Sequence, residues 1–274
     1  MRAGGNAGVP ERNTAGRENK GAGSNGGAGR GKIRVVGIGP GSPDLMSPRA
    51  LESLRKADVI VGYKTYIDLL GDLVEGKEVI KNGMTREIER SAAALDKASS
   101  GHDVAFVSSG DPGVYGMAGL VLEMADREGL TGKIDIEIIP GITSATASAA
   151  RLGAPLMHDF TVISLSDLLT PWDTIEKRLR AAAGGDFVVV LYNPASHRRI
   201  DQISRAREIM LEHKPPATPV GIVRNADRED EEVFITDLEN MLKYKIDMLS
   251  TVIVGNSSTK KLGDFMVTPR GYHI

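Results

Sequence analysis

Short runs of β-branched residues alternate along this chain with longer stretches whose apolar positions recur at helical spacing. Residues 33–37, 57–61, 78–80, 103–107 and 134–139 read as strands. Helical spacing over 47–56, 87–98 and 115–127 predicts helices between them. Ser47 suits the N-cap of the first helix and Pro48 its first position. Such alternation predicts a mostly parallel sheet covered by helices, with its ligand crevice at the carboxyl ends of the strands. The second half repeats the class without repeating the sequence. Strands are expected over 160–165, 187–192, 220–223, 232–235 and 251–254, and helices over 172–183 and 200–213, the latter ended by Pro215-Pro216. No fixed period marks a solenoid. A helix rich in small residues ends at Leu152-Gly153-Ala154-Pro155, which predicts one α/β domain over 32–154 and a second over 155–274.

The first 31 residues are of different composition. They hold ten of the 32 glycines, lack Ile, Leu, Phe, Trp and Tyr, and carry a net +3, leaving −5 of the total −2 for the remainder. This composition cannot bury enough apolar surface to offset its ordering entropy, so 1–31 is expected to be a disordered, solvated tail rather than a basic arm for nucleic acid. Of the 274 residues, the 243 that remain are enough for sizeable cores. The absence of cysteine excludes disulfides, thiolate metal sites and cysteine nucleophiles. No apolar run reaches the ~20 residues of a membrane span, and no apolar segment near the N-terminus marks a secretory signal. A cytoplasmic protein without membrane or nucleic-acid partners is the expectation.

Three glycine-bearing loops follow strands of the first half. The first is Gly37-Ile38-Gly39-Pro40-Gly41-Ser42-Pro43-Asp44. Its third glycine arrives one position too early for a dinucleotide fingerprint, Pro40 interrupts it, and no Gly-Lys-Ser/Thr follows to make a Walker loop. A tight strand–helix turn is the plainer alternative. The second, Ser108-Ser109-Gly110-Asp111-Pro112-Gly113-Val114-Tyr115-Gly116, sets a carboxylate where ribose hydroxyls or an amino group could be held, although Asp-Pro-Gly is also an ordinary turn. The third, Pro140-Gly141-Ile142-Thr143-Ser144-Ala145, opens a helix of small residues. Loops after three strands of one parallel sheet converge on one edge.

Other polar residues carry weaker signals. His102, His158, His197, His213 and His273 have no metal-ligand spacing, so no metal is expected. Ser108-Ser109 lacks a nucleophile elbow. Trp172 fits the packed start of a helix. Arg198, Arg199 and Arg270 have the fork geometry to bind carboxylates, against the commoner reading of solvated side chains.

Taken in order, the three loops Gly37-x-Gly39-Pro40-Gly41, Gly110-Asp111-Pro112-x-x-Tyr115-Gly116 and Pro140-Gly141-Ile142-Thr143-Ser144 resemble the tetrapyrrole methylase family. The likeness runs from about Lys32 to the C-terminus. It implies a two-domain α/β fold, each domain a mostly parallel sheet flanked by helices, with S-adenosylmethionine as methyl-donor cosubstrate in the interdomain cleft. The segments Leu165-Ser166-Asp167-Leu168-Leu169-Thr170-Pro171-Trp172, Leu191-Tyr192-Asn193-Pro194-Ala195-Ser196 and Thr268-Pro269-Arg270-Gly271-Tyr272 resemble its corrin branch. That branch implies methylation of C17 of precorrin-3B with ring contraction, in cobalamin biosynthesis, or of the cobalt-loaded counterpart. Carried over by residue, cofactor contacts fall on Pro40, Gly110, Asp111, Val114, Thr143, Ser144, Tyr192, Asn225 and Ala226. Where many relatives read Leu-Thr after the first loop, this chain reads Leu45-Met46-Ser47, which keeps the hydroxyl. A catalytic Asp of one relative falls on Tyr63, which leaves Tyr63, Lys64 and Lys81 as candidates for proton transfer. The likeness also implies a homodimer and a substrate rich in carboxylates, for which Arg198, Arg199 and Arg270 are the candidate anchors.

Methyl transfer from a sulfonium needs mainly positioning, for which effective molarity can supply ~7–11 kcal/mol. Two rival classes share much of the pattern. A dinucleotide-dependent oxidoreductase needs the missing fingerprint and an acidic residue where Tyr63 stands. A noncatalytic S-adenosylmethionine-binding module would keep the close-approach loops without turnover. Relatives that methylate ribosomal RNA or a modified histidine fit the −5 balance and the Thr-Pro-Arg-Gly-Tyr ending less well.

Overall fold

The first strand, β1 (Lys32–Gly37), has Ile33 and Val35 on one face and Val36 on the other, all fully buried. Both faces of its sheet are therefore covered, which is why its strands read as apolar runs rather than alternations. The structure, a computed structural model, describes residues 30–196 and 199–273. The expected tail, except Arg30 and Gly31, and the candidate anchor Arg198 lie outside the described residues.

Beside β1 stand β2 (Val59–Tyr63), β3 (Glu78–Asn82), β4 (Asp103–Ser108) and β5 (Asp135–Ile139), in the order β3-β2-β4-β1-β5 with every pair parallel. Helices α1 (Pro48–Lys56) and α2 (Lys64–Asp68) cover one face, where Ala50, Leu54 and Ile67 meet Val36, Ile60 and Val107. On the other face α3 (Glu87–Ser99) and α4 (Ala118–Arg127) bring Ala94, Leu95, Val121 and Ala125 against Ile33, Val35, Val59 and Phe106. The N-terminus of α1 is made as the sequence predicts: the Ser47 hydroxyl accepts the Ala50 N–H at 3.1 Å and Pro48 occupies the first turn. By contrast, α4 starts three residues later than its spacing predicts. Tyr115 has φ +52°, a left-handed conformation that no helix can include.

After α5 (Ser144–Leu152) and the two-residue β6 (Gly153–Ala154) come β7 (Phe160–Ser164), α6 (Trp172–Gly184), β8 (Val188–Tyr192), α7 (Gln202–Leu211), β9 (Pro219–Arg224), β10 (Glu232–Asp237) and β11 (Ser250–Val254). The chain closes with the hairpin β12 (Lys260–Leu262) and β13 (Phe265–Val267), which pairs with β6. The larger sheet runs β10-β9-β11-β8-β7, with only β7 and β8 parallel neighbours. This corrects the expectation of a mostly parallel second sheet. Parallel neighbours need a crossover of a dozen or more residues, usually a helix. The connection 225–231 is too short for one, so β10 turns back antiparallel to β9. The connection 238–249 then returns the chain to the other side of β9 with β11 in the direction of β10, so both run against β7, β8 and β9.

Packing also moves the change of domain. Ala145, Ala149 and Leu152 of α5 pack on Val188, Val190, Val223 and Ile253 of the second sheet. The chain thus crosses over at 140–143, ahead of the expected break after Ala154. Among the described residues no helix is long and apolar enough to cross a membrane.

Glu137 on β5 joins Lys32 (2.8 Å), Arg34 (3.6 Å) and Arg49. The Lys32 hydrogen bond holds its carboxyl below the ordinary 4.5, against a burial that would raise it. As pH falls the unfolded chain takes up this proton first. Glu137 therefore stabilises the fold above about pH 4.5, and that contribution is lost as pH drops through the depressed folded value. A Glu137→Gln variant is expected to lose less Tm than the parent protein between about pH 5 and about pH 3. Equal losses in the two proteins would refute this.

Candidate functional site

The three glycine loops meet backbone to backbone. Gly39 and Gly110 exchange two hydrogen bonds, of 3.2 and 2.8 Å, and Ile38 N–H donates to the Ser108 carbonyl at 3.0 Å. A Cβ on Gly37 would lie 2.7 Å from both Gly110 O and Gly141 N, and one on Gly141 would lie 2.2 Å from Gly110 O. No side chain fits between these strands' ends, which is the physical reason for glycine at 37 and 141. Asp111 ties the second loop to itself and to the third: Oδ1 accepts Gly113 N–H at 2.8 Å and Oδ2 accepts Gly141 N–H at 3.1 Å.

The second domain closes the other side. At the end of β8, the Tyr192 hydroxyl shares a 2.5 Å hydrogen bond with Thr143 Oγ1 and accepts Ala145 N–H at 2.6 Å. A phenol from the second domain thus satisfies the N-terminus of α5, where Thr143 makes no side-chain cap. Burial pushes this phenol up from its ordinary 10. Tyr115 bridges the domains from the opposite direction. Its hydroxyl donates to Val162 O at 3.0 Å and accepts Ser164 N–H at 3.2 Å, on the outer side of the edge strand β7.

Between the domains lies a cleft of about 480 Å³, within the ~300–1,000 Å³ usual for small-molecule sites. All nine cofactor candidates line it: Pro40, Gly110, Asp111, Val114, Thr143, Ser144, Tyr192, Asn225 and Ala226. So does Tyr63, at the carboxyl end of β2. The other two proton-transfer candidates do not. Lys64 is exposed at the start of α2, and Lys81 pairs with Asp68 at 3.2 Å in solvent. Of the expected carboxylate anchors, Arg199 is buried beneath the cleft, where its guanidinium donates to Leu165 O, Asn193 O and Met248 Sδ. Arg270 is exposed on the C-terminal segment, away from the lining.

Two arginines absent from the sequence reading do line the cleft. Arg90 is 4% exposed, with Nη1 donating to Asn82 Oδ1 and Gly83 O, both at 2.7 Å, and its guanidinium 5.9 Å from the Tyr63 ring centre. Tyr63 in turn meets Tyr66 edge-on at 5.1 Å. A signal for Arg90 did exist: it shares the buried stripe of α3 with Ala94 and Ala98, where a charge needs a partner. Arg228, by contrast, sits within a run of charged residues that marks none of its members out.

The model of the Tetrapyrrole (Corrin/Porphyrin) Methylases matches residues 32–242. A cobalt-factor III methyltransferase of Priestia megaterium is 51% identical over 89% of this chain and 45% of its own length. A probable cobalt-factor III C(17)-methyltransferase of Salmonella typhimurium is 50% identical over 88% of this chain and 100% of its own. The chain therefore spans less than half of the first relative and all of the second. Among solved structures, the methyltransferase CobJ superposes with TM-score 0.82 at 38% identity, covering 87% of this chain and all of that one.

Proposed function

This chain belongs to the tetrapyrrole methylase family, and from that premise we propose that it transfers a methyl group from S-adenosylmethionine to C17 of a corrin-ring precursor in cobalamin biosynthesis, with cobalt-factor III as its substrate. One observation carries the reading: residues from both domains, nine of them named from the family pattern, line a single cleft of suitable size. The choice of the cobalt-loaded macrocycle over precorrin-3B rests on the names of the relatives at 51% and 50% identity.

The cleft fits a nucleoside joined to an amino acid. Val114, Met117 and Ala226 offer apolar wall, while Asp111, Thr143, Ser144 and Asn225 offer hydrogen-bonding groups. Each Asp111 oxygen has accepted one backbone N–H and keeps capacity for another donor. The cosubstrate supplies an electrophilic methyl on a sulfonium, so the protein's task is to align donor and acceptor carbon and to exclude water. The interlocked glycine loops and the Tyr192 and Tyr115 bridges perform that alignment by fixing one wall of the cleft against the other. Ring contraction needs proton transfers in addition, and Tyr63 is the candidate that faces the cleft. Cytoplasmic location and homodimeric assembly go with the same family reading.

Product mass tests the proposal. Purified protein with S-adenosylmethionine is expected to add one methyl to cobalt-factor III, with no gain when the cosubstrate is left out. A gain with precorrin-3B alone would overturn the cobalt-loaded assignment. A gain with neither, from protein that binds S-adenosylhomocysteine, would overturn the corrin reading.

A further inference from the structure

We propose that Arg228 is the carboxylate anchor of the cleft, an inference that rests on the methyltransferase reading and deepens it. The connection 225–231 between β9 and β10 is held rigidly. Asn225 N–H donates to Leu249 O and Arg228 N–H to Asn225 O, both at 3.0 Å. Arg151 on α5 pairs with both Asp227 and Glu231 of the connection. Two acidic residues of the connection are thereby engaged by Arg151, and among the described residues Arg228 has no ion pair.

Its side chain is nonetheless fixed. It crosses to the first domain, where Nε donates to Pro40 O at 2.9 Å. Its stem lies against Gly41, where a Cβ would come within 2.7 Å of Cγ and 2.8 Å of Nε. With Nε spent on a main-chain carbonyl, both Nη groups remain without a hydrogen bond among the described residues, on a residue that lines the cleft. A guanidinium held by one edge presents its other two nitrogens as a preorganised fork for a carboxylate. Arg90 offers no comparable fork, since its Nη1 is engaged twice and its Nη2 reaches Glu87 at 3.4 Å. Arg199 is occupied by main-chain carbonyls and Met248.

The carboxylate has two sources in the proposed reaction: the amino-acid end of the methyl donor, or an acid side chain of the macrocycle. Calorimetry with S-adenosylhomocysteine and with methylthioadenosine, the same thioether without its amino-acid end, separates them. If Arg228 takes the donor's carboxylate, Arg228→Met weakens S-adenosylhomocysteine binding ~10- to 100-fold, the range for a charge-assisted hydrogen bond, and leaves methylthioadenosine unchanged. If it takes the macrocycle's, both thioethers bind as before and KM for cobalt-factor III rises by a similar factor, with kcat within about threefold of the parent.

Arg228→Gln distinguishes anchoring from loop support. It can still donate to Pro40 O but carries no charge, so it is expected to behave like Arg228→Met, while Arg228→Lys recovers part of the affinity. Full recovery by Arg228→Gln, or affinities within about twofold of the parent for every ligand in Arg228→Met, overturns the inference. The parent reading fails separately, by absence of methyl transfer in the unaltered protein.

Discussion

Replacing Gly141 by alanine is expected to lower kcat/KM by at least ~100-fold, the scale of loss when a catalytic constellation is displaced by about 1 Å. The added Cβ would sit 2.2 Å from the Gly110 carbonyl oxygen and 2.8 Å from the Gly37 carbonyl carbon and oxygen. All of these are main-chain atoms, so no side chain can swing aside. The ends of β1 and β5 and the loop after β4 must separate instead. Overpacking of this kind costs ~1–3 kcal/mol or more in stability, so Tm should fall as well. Gly119→Ala provides the contrast. Gly119 lies inside α4 with nothing within 4 Å of its would-be Cβ. There alanine should raise stability by ~0.5–1 kcal/mol and leave activity unchanged. Steady-state kinetics and thermal melts on the two variants check both halves, and a near-parental Gly141→Ala enzyme would refute the close-approach account.

The second large effect is expected at Asp111. Asparagine has the same shape, but one of its two terminal atoms is an NH₂ group. In place of two acceptors facing Gly113 N–H and Gly141 N–H, one of those donors would then face another donor. Losing a hydrogen bond to a charged acceptor costs ~1.5–3 kcal/mol, so S-adenosylhomocysteine affinity should fall ~10- to 100-fold, with a parallel fall in Tm. The paired readout is what tests the clasp. A loss of affinity at unchanged Tm would assign the carboxylate to the ligand alone and would refute its role in tying the loops together.

The two residues also show where sequence reading works. Glycine at 37 and 141 and the Gly-Asp-Pro-Gly turn at 110–113 follow local rules: a strand ends, a tight turn begins, and backbone approaches backbone. The strands of the first sheet were legible for a related reason. Burial on both faces leaves runs of Val and Ile that have few other uses. Tyr63 was legible as a place, the end of the second strand, while Lys64 and Lys81 were not separable from it. One or two residues along a strand or turn is enough to move a side chain from cleft to solvent.

What the chain's one-dimensional pattern determined by itself is the order of strands and helices, the parallel first sheet, and the three loops that end on its carboxyl edge. The strands, helices and turns each depend on neighbours within a few residues, and their regular alternation then implies the parallel pairing and the common edge. The tertiary structure alone decided the rest. Strand direction in the second sheet depends on which edges pair, and α5 joined the second domain because its alanines fit that sheet. Arg228 meets Pro40 across 188 residues of chain. No local propensity encodes such a meeting, because the partner exists only once two separate cores have formed and docked.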